Sequence, residues 1–490
     1  MMVSIMMVMA LMVVWTFKEG RRVAYDFGEK RIGENSVQEI NSGMYTKTIL
    51  GQSIGDTSVP VWTADKSRNS FVAFQDPKTQ KIFGINKDIL AYGLLVIGAP
   101  GTGKTNFLNM TLDRMIATMQ PTDVIIIFDT KGDYLDTFGS KFPDSEKIVI
   151  GNGEVYCRNT SYHNIFAEVM PRGKDGKLVY TPESDENALN LCEHLFHSMN
   201  SETQPIFPTM AEQVVAAVMI YFMRTYWRSD QSKLNNKELI NFFTHSTNDE
   251  LKKVFELGYM TDQHSCIDYI SGKGNQTQGV NSYVGSVLKK MFVGPFAQAD
   301  PEREFSMRDI MSGGKKKVVF IEYDLQKGWL LAPMYAVLID CALANALGGR
   351  QKKNNNKYFL LDEMLLLPRL DHLSDSLNFG RSLGVKMMCG LQNTCGLEEQ
   401  YGAAGAKNIL SSFQNMVAFR INDYDTRQFV INRLGENYQN LSFSAQQTNL
   451  NIQRKGHTVE DWNLLKLRIG EVIVSLAGED SFLFNMPLYK

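Results

Sequence analysis

Cysteine is scarce in this chain of 490 residues: six in all, at positions 157, 192, 266, 341, 389 and 395, with no CxxC pair among them. That scarcity excludes a disulfide scaffold and the paired spacing of a structural zinc or redox centre, so the thiols read as reduced, buried and cytosolic. Proline (14) and glycine (38) are too few for collagenous, linker-like or low-complexity stretches. Charge of one sign is lacking too. With 51 Lys+Arg against 53 Asp+Glu, net -2, the chain does not coat nucleic acid through a bulk positive field, and any DNA contact is local. What is present is ordinary globular usage, 44% hydrophobic and 21% charged, at a length that allows about three domains.

Residues 1–17, MMVSIMMVMALMVVWTF, carry no ionisable side chain and stop at Lys18, Glu19, Gly20, Arg21 and Arg22. A helix of that length covers about 25 Å of a core of roughly 30 Å, so it spans with local thinning or with help from the Trp15–Phe17 interface. The basic cluster on its C-terminal side puts the rest of the chain in the cytoplasm, and a signal peptide fits poorly without a basic n-region. The expectation is a membrane anchor at 1–17.

Residues 18–93 then read as a strand-rich lead-in, with FVAF and KIFGI as short strands. From residue 94 apolar runs alternate with helical stretches: LLVIG, VIIIFD (124–129), KIVIG (147–151), KVVFIEYD (317–324), KYFLLDE (357–363), VKMMCGLQ (385–392), NMVAFRI (415–421) and EVIVSL (471–476). Continuous apolar strands with intervening helices predict an α/β fold, a parallel-rich sheet covered on both faces. Residues 183–312 are helix after helix instead. The predicted organisation is a nucleotide-binding domain over 94–182 and 313–490, with an all-α domain inserted at 183–312.

The strand LLVI runs into Gly98-Ala99-Pro100-Gly101-Thr102-Gly103-Lys104-Thr105, a full GxxxxGK[ST], and a helix follows. Glycines let the loop curl so that backbone N–H groups point at phosphate oxygens, while the helix N-terminus adds partial positive charge. Lys104 is placed to bridge β and γ phosphates, and Thr105 to ligate magnesium. Such a loop signals ATP and Mg2+ but not yet hydrolysis. Hydrolysis needs one carboxylate for the metal shell and another for the attacking water, and Asp362-Glu363, closing KYFLL, supplies both. Asp129 and Asp324 also close apolar runs, without a following glutamate. Gln392, at the end of VKMMCGL, can report on the γ-phosphate without contesting the metal's charge. An arginine that stabilises phosphoryl charge is often supplied by a neighbouring subunit, and Arg381 in FGRSLG is the candidate, with Arg420 in VAFRIND as runner-up. Lys273 and Lys315–Lys317 are candidate DNA contacts, although a charge run is more often a solvated face.

GAPGTGKTN, IIIFDTKGDY, FLLDEM, FGRSLG and GLQNTCGLEEQYG, in this order, resemble the coupling ATPases of conjugative and type IV secretion systems, the VirD4/TraG/TraD group of the FtsK/HerA superfamily. The likeness covers about 94–478 and extends to the helical insertion. It implies a RecA-like P-loop domain and a membrane-anchored homo-hexameric ring. Such a ring drives DNA, single-stranded in the main expectation, or a relaxase nucleoprotein to secretion-channel proteins, with the ATPase domain on the cytoplasmic side of the inner or plasma membrane. The resemblance makes Lys104 and Thr105 the nucleotide and magnesium contacts, Asp362 the metal-shell acid, Glu363 the base, Gln392 the sensor and Arg381 the finger toward the adjacent protomer. The chain departs from the family pattern in reading DTKGD for DPKGE and TGK for SGK, and in having at most one membrane helix where many members have two. The alternatives are a VirB4-like ATPase for protein export or pilus assembly, and a HerA- or FtsK-like DNA pump.

Overall fold

A computed structural model describes residues 37–489 apart from 41–43, 56, 62, 65–71, 152–159, 198–205, 273, 349–354 and 446–447. The expected anchor at 1–17, Cys157 and Lys273 therefore lie outside the described residues. In chain order the strands are β1 (Val37–Ile40), β2 (Met44–Leu50), β3 (Val72–Gln75), β4 (Ile82–Ile85), β5 (Leu94–Ile97), β6 (Val124–Asp129), β7 (Lys147–Gly151) and β8 (Tyr162–His163). They continue as β9 (Glu304–Phe305), β10 (Lys317–Glu322), β11 (Lys357–Leu361), β12 (Val385–Leu391), β13 (Asn415–Ala418), β14 (Glu436–Ala445), β15 (Thr448–His457), β16 (Glu471–Ser475) and β17 (Phe482–Asn485).

Nine of these form one sheet in the order β17-β16-β13-β5-β12-β11-β6-β10-β7. From β13 to β7 every pairing is parallel, and β16 and β17 close one edge antiparallel. The apolar runs explain this arrangement, because a strand buried on both faces has no polar side to offer water. The two faces divide the side chains by alternation. Leu94 and Val96 of β5, with Ile125 and Ile127 of β6, pack under the helix Lys104–Ala117, whereas Leu95, Ile97, Ile126 and Phe128 pack on the opposite side. That opposite core is continuous with the helical segment. Helices Pro182–His197, Ile206–Tyr226, Asn236–His245, Asn248–Phe255, Ser265–Ile270, Asn275–Met291 and Met307–Ser312 lie between β8 and β10, interrupted near their end by β9, which pairs with β8. The result is the expected α/β fold with a helical insertion, which departs from the expected all-α segment in the short strand β9 that ties it to β8.

Among the described residues two helices, Ile206–Tyr226 and Gly328–Gly348, are long and apolar enough to cross a membrane, but 61% and 72% of their apolar windows are buried inside the fold. Interior helices that are apolar all round meet the same length and composition. A further sheet, β1-β2-β14-β15, was not expected from the sequence. β14 and β15, ENYQNLSFSA and TNLNIQRKGH, are rich in Asn and Gln, which are poor strand formers, and they lack the apolar run that marks the other strands. Pairing with β2 and with each other over ten residue pairs overrides that weak propensity.

Candidate nucleotide site

Strands in a parallel sheet bring their C-terminal tips to one edge, and in this order the tip of β12 lies between those of β5 and β11. The loop after β5 turns on Gly101 (φ 73°) and Gly103 (φ 116°), values that favour glycine over any residue with a Cβ, and the helix Lys104–Ala117 begins at once. The loop is braced from behind. Ala99 N–H donates to the Arg420 carbonyl at 2.8 Å, Gly470 N–H to the Thr102 carbonyl at 3.1 Å, and the Thr102 hydroxyl to the Ala99 carbonyl at 2.7 Å. Lys104 is buried, its ammonium bonded to the carbonyls of Gly98 and Ala99. Burial holds its pKa below the ordinary lysine value, and Glu363 and then Asp362 work against that shift as its nearest negative charges. Thr105 sits in the first helical turn, half-buried.

The segments around Lys104 and the acidic pair, far apart in sequence, therefore meet. Asp362 is buried, which raises its pKa, and two hydroxyls oppose the rise: Tyr134 Oη donates to Oδ1 and Thr130 Oγ1 to Oδ2, each at 3.1 Å. Glu363 points elsewhere, as adjacent residues at a strand end do. Its pKa is pushed up to about 7 by burial, against the Gln392 amide that hydrogen-bonds it and the charge of Lys104. Room for this crossing comes from Gly390 on β12, where a Cβ would stand 1.8 Å from the Asp362 carbonyl oxygen.

The loop that supplies Tyr134 and Thr130 is itself built on Asp129. One carboxylate accepts four backbone N–H groups, from Lys131 (3.1 Å) and Gly132 (2.9 Å) on Oδ1 and from Tyr134 (2.9 Å) and Leu135 (3.2 Å) on Oδ2. Asp129 is thereby committed to shaping the DTKGD turn. Lys131, from the same turn, adds a second positive charge near Asp362.

Residues 82–461 match the family described as the type IV secretion-system coupling protein DNA-binding domain. The chain belongs to this family. Among curated proteins it is 20% identical over 324 residues to the type IV secretion system-coupling protein VirD4 of Bartonella quintana, covering 63% of this chain and 50% of that protein. It is 25% identical over 143 residues to the coupling protein TraD of Escherichia coli, covering 27% of this chain and 19% of TraD. The chain thus spans half the length or less of these curated relatives in alignment. Solved structures of the bacterial conjugative coupling protein TrwB share its fold: an unbound form superimposes with a TM-score of 0.68 at 19% identity over 83% of this chain and 87% of that one. A complex of TrwB with a non-hydrolysable ATP analogue gives 0.69 at 18% identity over 94% and 97%.

In this coupling-protein chain not every expected residue gathers at the nucleotide edge. Arg381 lies before β12, with its guanidinium 3.8 Å from the centroid of the Tyr92 ring, and Tyr92 lies before β5. Both are at the N-terminal edge of the sheet, roughly 20 Å of strand away from the phosphate loop at about 3.3 Å per residue. Arg420, the runner-up, stands beside the loop through its backbone. Lys316 pairs with Glu146 at 2.9 Å and Lys317 donates to the Ser145 carbonyl at 2.6 Å, both also at the far edge. The expected acid Asp324 is displaced as well: β10 ends at Glu322, and the Asp324 side chain accepts the Gln326 N–H in the turn beyond.

Glu322 takes the interior place that sequence reasoning gave to Asp324. It is buried beside Asp129, its strand neighbour, and among the described residues no donor reaches either carboxylate oxygen. Burial first, and the negative charges of Asp129 and Asp136 next, push its pKa up to about 10, so at neutral pH it carries a proton it can donate to Asp129. Tyr134, Thr130 and Gly390 were also missed from the sequence. Tyr134 and Thr130 lie within DTKGDY as ordinary polar residues, and their aim at Asp362 depends on strand order, which no local pattern encodes.

Proposed function

We propose that this chain binds ATP with Mg2+ and hydrolyses it to drive DNA through a membrane-associated secretion machinery, as the coupling proteins of its family would. The observation that carries the reading is the convergence of Lys104, Asp362, Glu363 and Gln392 from the tips of three neighbouring strands. The donor set fits the ligands: a glycine-turned loop ahead of a helix N-terminus, one lysine, one hydroxyl and two carboxylates with different surroundings. Lys104 and the loop N–H groups would hold the triphosphate, and Thr105 and Asp362 the magnesium, whose bound charge would polarise the phosphate oxygens. Tyr134 and Thr130 fix the Asp362 carboxylate in place. Glu363, with a pKa near neutrality, is matched to accept a proton from water, and Gln392 orients it. TrwB crystallised with an ATP analogue, and with ADP and Mg2+, supports the choice of ligands.

The further parts of the proposal follow the family resemblance. Residues 94–182 and 313–490 form the nucleotide-binding unit, 183–312 the helical insertion, 18–93 the lead-in and 1–17 the anchor in an inner or plasma membrane, with the ATPase on the cytoplasmic side. The active form is a ring, a hexamer, in which Arg381 serves the site of the adjacent protomer. Its place at the far edge of its own sheet is consistent with service only in trans. The substrate is DNA, single-stranded, or a relaxase-bound nucleoprotein, passed to secretion-channel proteins. Steady-state ATPase rates of the oligomer with and without single- and double-stranded DNA test the reading, and stimulation by single-stranded DNA is the expected result. No stimulation by either form rejects a DNA motor. Mixing Arg381→Ala with Glu363→Gln subunits tests the ring, since a shared site restores partial activity that neither variant shows alone.

A further inference from the structure

Away from the nucleotide edge, three segments bring two histidines and two aspartates together. His194 comes from the helix Pro182–His197 of the insertion, Asp340 from the helix Gly328–Gly348, and Asp371 and His372 from the stretch just before the helix Leu373–Phe379. His194 Nδ1 lies 3.2 Å from Asp371 Oδ2 and 3.4 Å from Asp340 Oδ2, and His372 Nδ1 lies 3.1 Å from the same Asp340 oxygen. The ligand atoms of His194, Asp340 and His372 all lie within 4.8 Å of one another. We propose that His194, Asp340 and His372 form a binding site for a divalent transition metal of the zinc type, with the fourth position open to water and Asp371 at the rim beside His194, pinning the helical insertion to the segment that follows the acidic pair.

Four features carry this beyond a chance cluster. The first is spacing: a tetrahedral ion with ligands at about 2.0–2.1 Å separates them by roughly 3.3–3.4 Å, close to the 3.4 and 3.1 Å from Asp340 Oδ2 to the two imidazoles. The second is orientation. Each carboxylate has its Oδ1 held from outside, Asp340 by the His372 backbone N–H at 2.8 Å and Asp371 by Arg369 Nε at 3.2 Å, so that both Oδ2 atoms are turned to the imidazoles. Such outer contacts are what fix ligands around a bound metal. The third is charge: Asp340, with 5% of its side chain exposed, is a desolvated carboxylate that a divalent ion would neutralise, whereas Asp371 already pairs with Arg369. The fourth is access. An open cleft of about 990 Å³ is lined by His194, Asp371 and His372, giving an ion a way in. Two nitrogens with two oxygens suit zinc, cobalt or nickel, whereas magnesium and calcium prefer all-oxygen shells. The site owes nothing to the nucleotide reading above.

The test uses full-length protein freed of any histidine tag and stripped with chelator, titrated with ZnCl2 by calorimetry and followed by thermal melting. One zinc per chain and a rise in melting temperature are expected, undisturbed by millimolar magnesium and retained by Lys104→Ala, which separates this site from the phosphate loop. His194→Gln and His372→Gln should each weaken zinc binding at least tenfold and remove the thermal shift. Zinc-edge absorption spectroscopy on the wild type should show two imidazoles in a nitrogen and oxygen shell at about 2.0 Å, a readout independent of how well the variants fold. No stoichiometric binding, or binding that both variants keep, overturns the proposal and leaves the cluster as imidazolium–carboxylate pairs. A sulfur in the shell also overturns it, pointing instead to Cys395, which lies with Asp423 and Asp425 in a second group of candidate ligands.

Discussion

The two edges of the central sheet both bury ionisable groups, yet they treat them in opposite ways. At the N-terminal edge Lys357 donates to the Ala346 carbonyl at 3.1 Å, Lys386 to Asn356 Oδ1 at 2.8 Å and Lys317 to the Ser145 carbonyl at 2.6 Å. Each of these three amines has a neutral oxygen as its partner, and two further lysines of that edge, Lys316 and Lys87, have Glu146 and Asp123. At the C-terminal edge Asp129, Glu322, Asp362 and Glu363 are all held above ordinary carboxylate pKa values by burial, with Lys131 and Lys104 the cations acting on Asp362 and Lys104 on Glu363. An edge whose polar groups are satisfied internally is architecture, while an edge that accumulates four desolvated acids beside two lysines is arranged for ligands that bring their own charge.

If that contrast is right, the largest losses come from the C-terminal edge. Lys104→Ala should abolish nucleotide binding measured by fluorescence titration, a loss of at least a hundredfold. Glu363→Gln should keep that binding and lower kcat by roughly 10²–10⁴, the usual span for a general base. Equal losses in both variants in both assays would merge two roles that the geometry keeps apart. Gly390→Ala drives a Cβ into the Asp362 carbonyl. It should cost about 1–3 kcal/mol of stability in denaturant titration, the range for overpacking, and impair turnover together with it.

A tier below stands Tyr134, which touches Asp362 and nothing that reacts. Tyr134→Phe keeps the packing and removes one hydrogen bond, so a 10- to 100-fold weaker magnesium dependence of ATPase is expected, as for outer partners of metal ligands. An unchanged magnesium titration would mean that Asp362 is positioned by Thr130 and the backbone alone.

These tiers also mark what could be read from the chain alone. The parallel strands were legible because apolar runs such as VIIIFD are long enough to report burial on both faces, and the loop and acidic pair because their chemistry is contiguous. Tyr134, Glu322 and Gly390 were not, since each acts across strands whose order is set by packing. Asp324 misled for a local reason: the run VVFIEYD looks uninterrupted, but the chain leaves the sheet after Glu322 and turns at Asp324. The β14–β15 hairpin escaped because its stability resides in pairing and not in composition.

Glu322 offers a test by pH. Its folded pKa, about 10, lies above the 4.5 of a free glutamic acid. A raised value means that its contribution is fully favourable below about pH 4.5 and is lost as pH rises toward 10. Glu322→Gln keeps the shape and a donor for Asp129 without that loss. Its stability advantage over the wild type should be near zero at pH 4.5 and grow to roughly 1 kcal/mol or more at pH 8. An advantage independent of pH would show that Glu322 is solvated in the folded protein.

The smallest effect belongs to the opposite edge, and its smallness is the point. Lys386 is buried with its ammonium 5.6 Å from the Tyr358 ring centroid, and burial, then the charge of Lys87, lowers its pKa to about 8. A lowered lysine value favours folding above the unfolded pKa near 10.5 and is lost as pH falls through 8. At pH 7 the wild type therefore carries a desolvated charge, and Lys386→Met removes it while leaving Asn356 Oδ1 without its lysine donor. These terms oppose, so the net change in denaturant titration should stay within about 1 kcal/mol at pH 7 and turn against the variant by pH 10. ATPase activity should not move, because nothing in the hydrogen-bond chain of Lys386 reaches the loop at Lys104. A drop in turnover at constant stability would show that the two edges are coupled through β12, whose far tip is Gln392, and the division between architecture and chemistry would have to be redrawn along that strand.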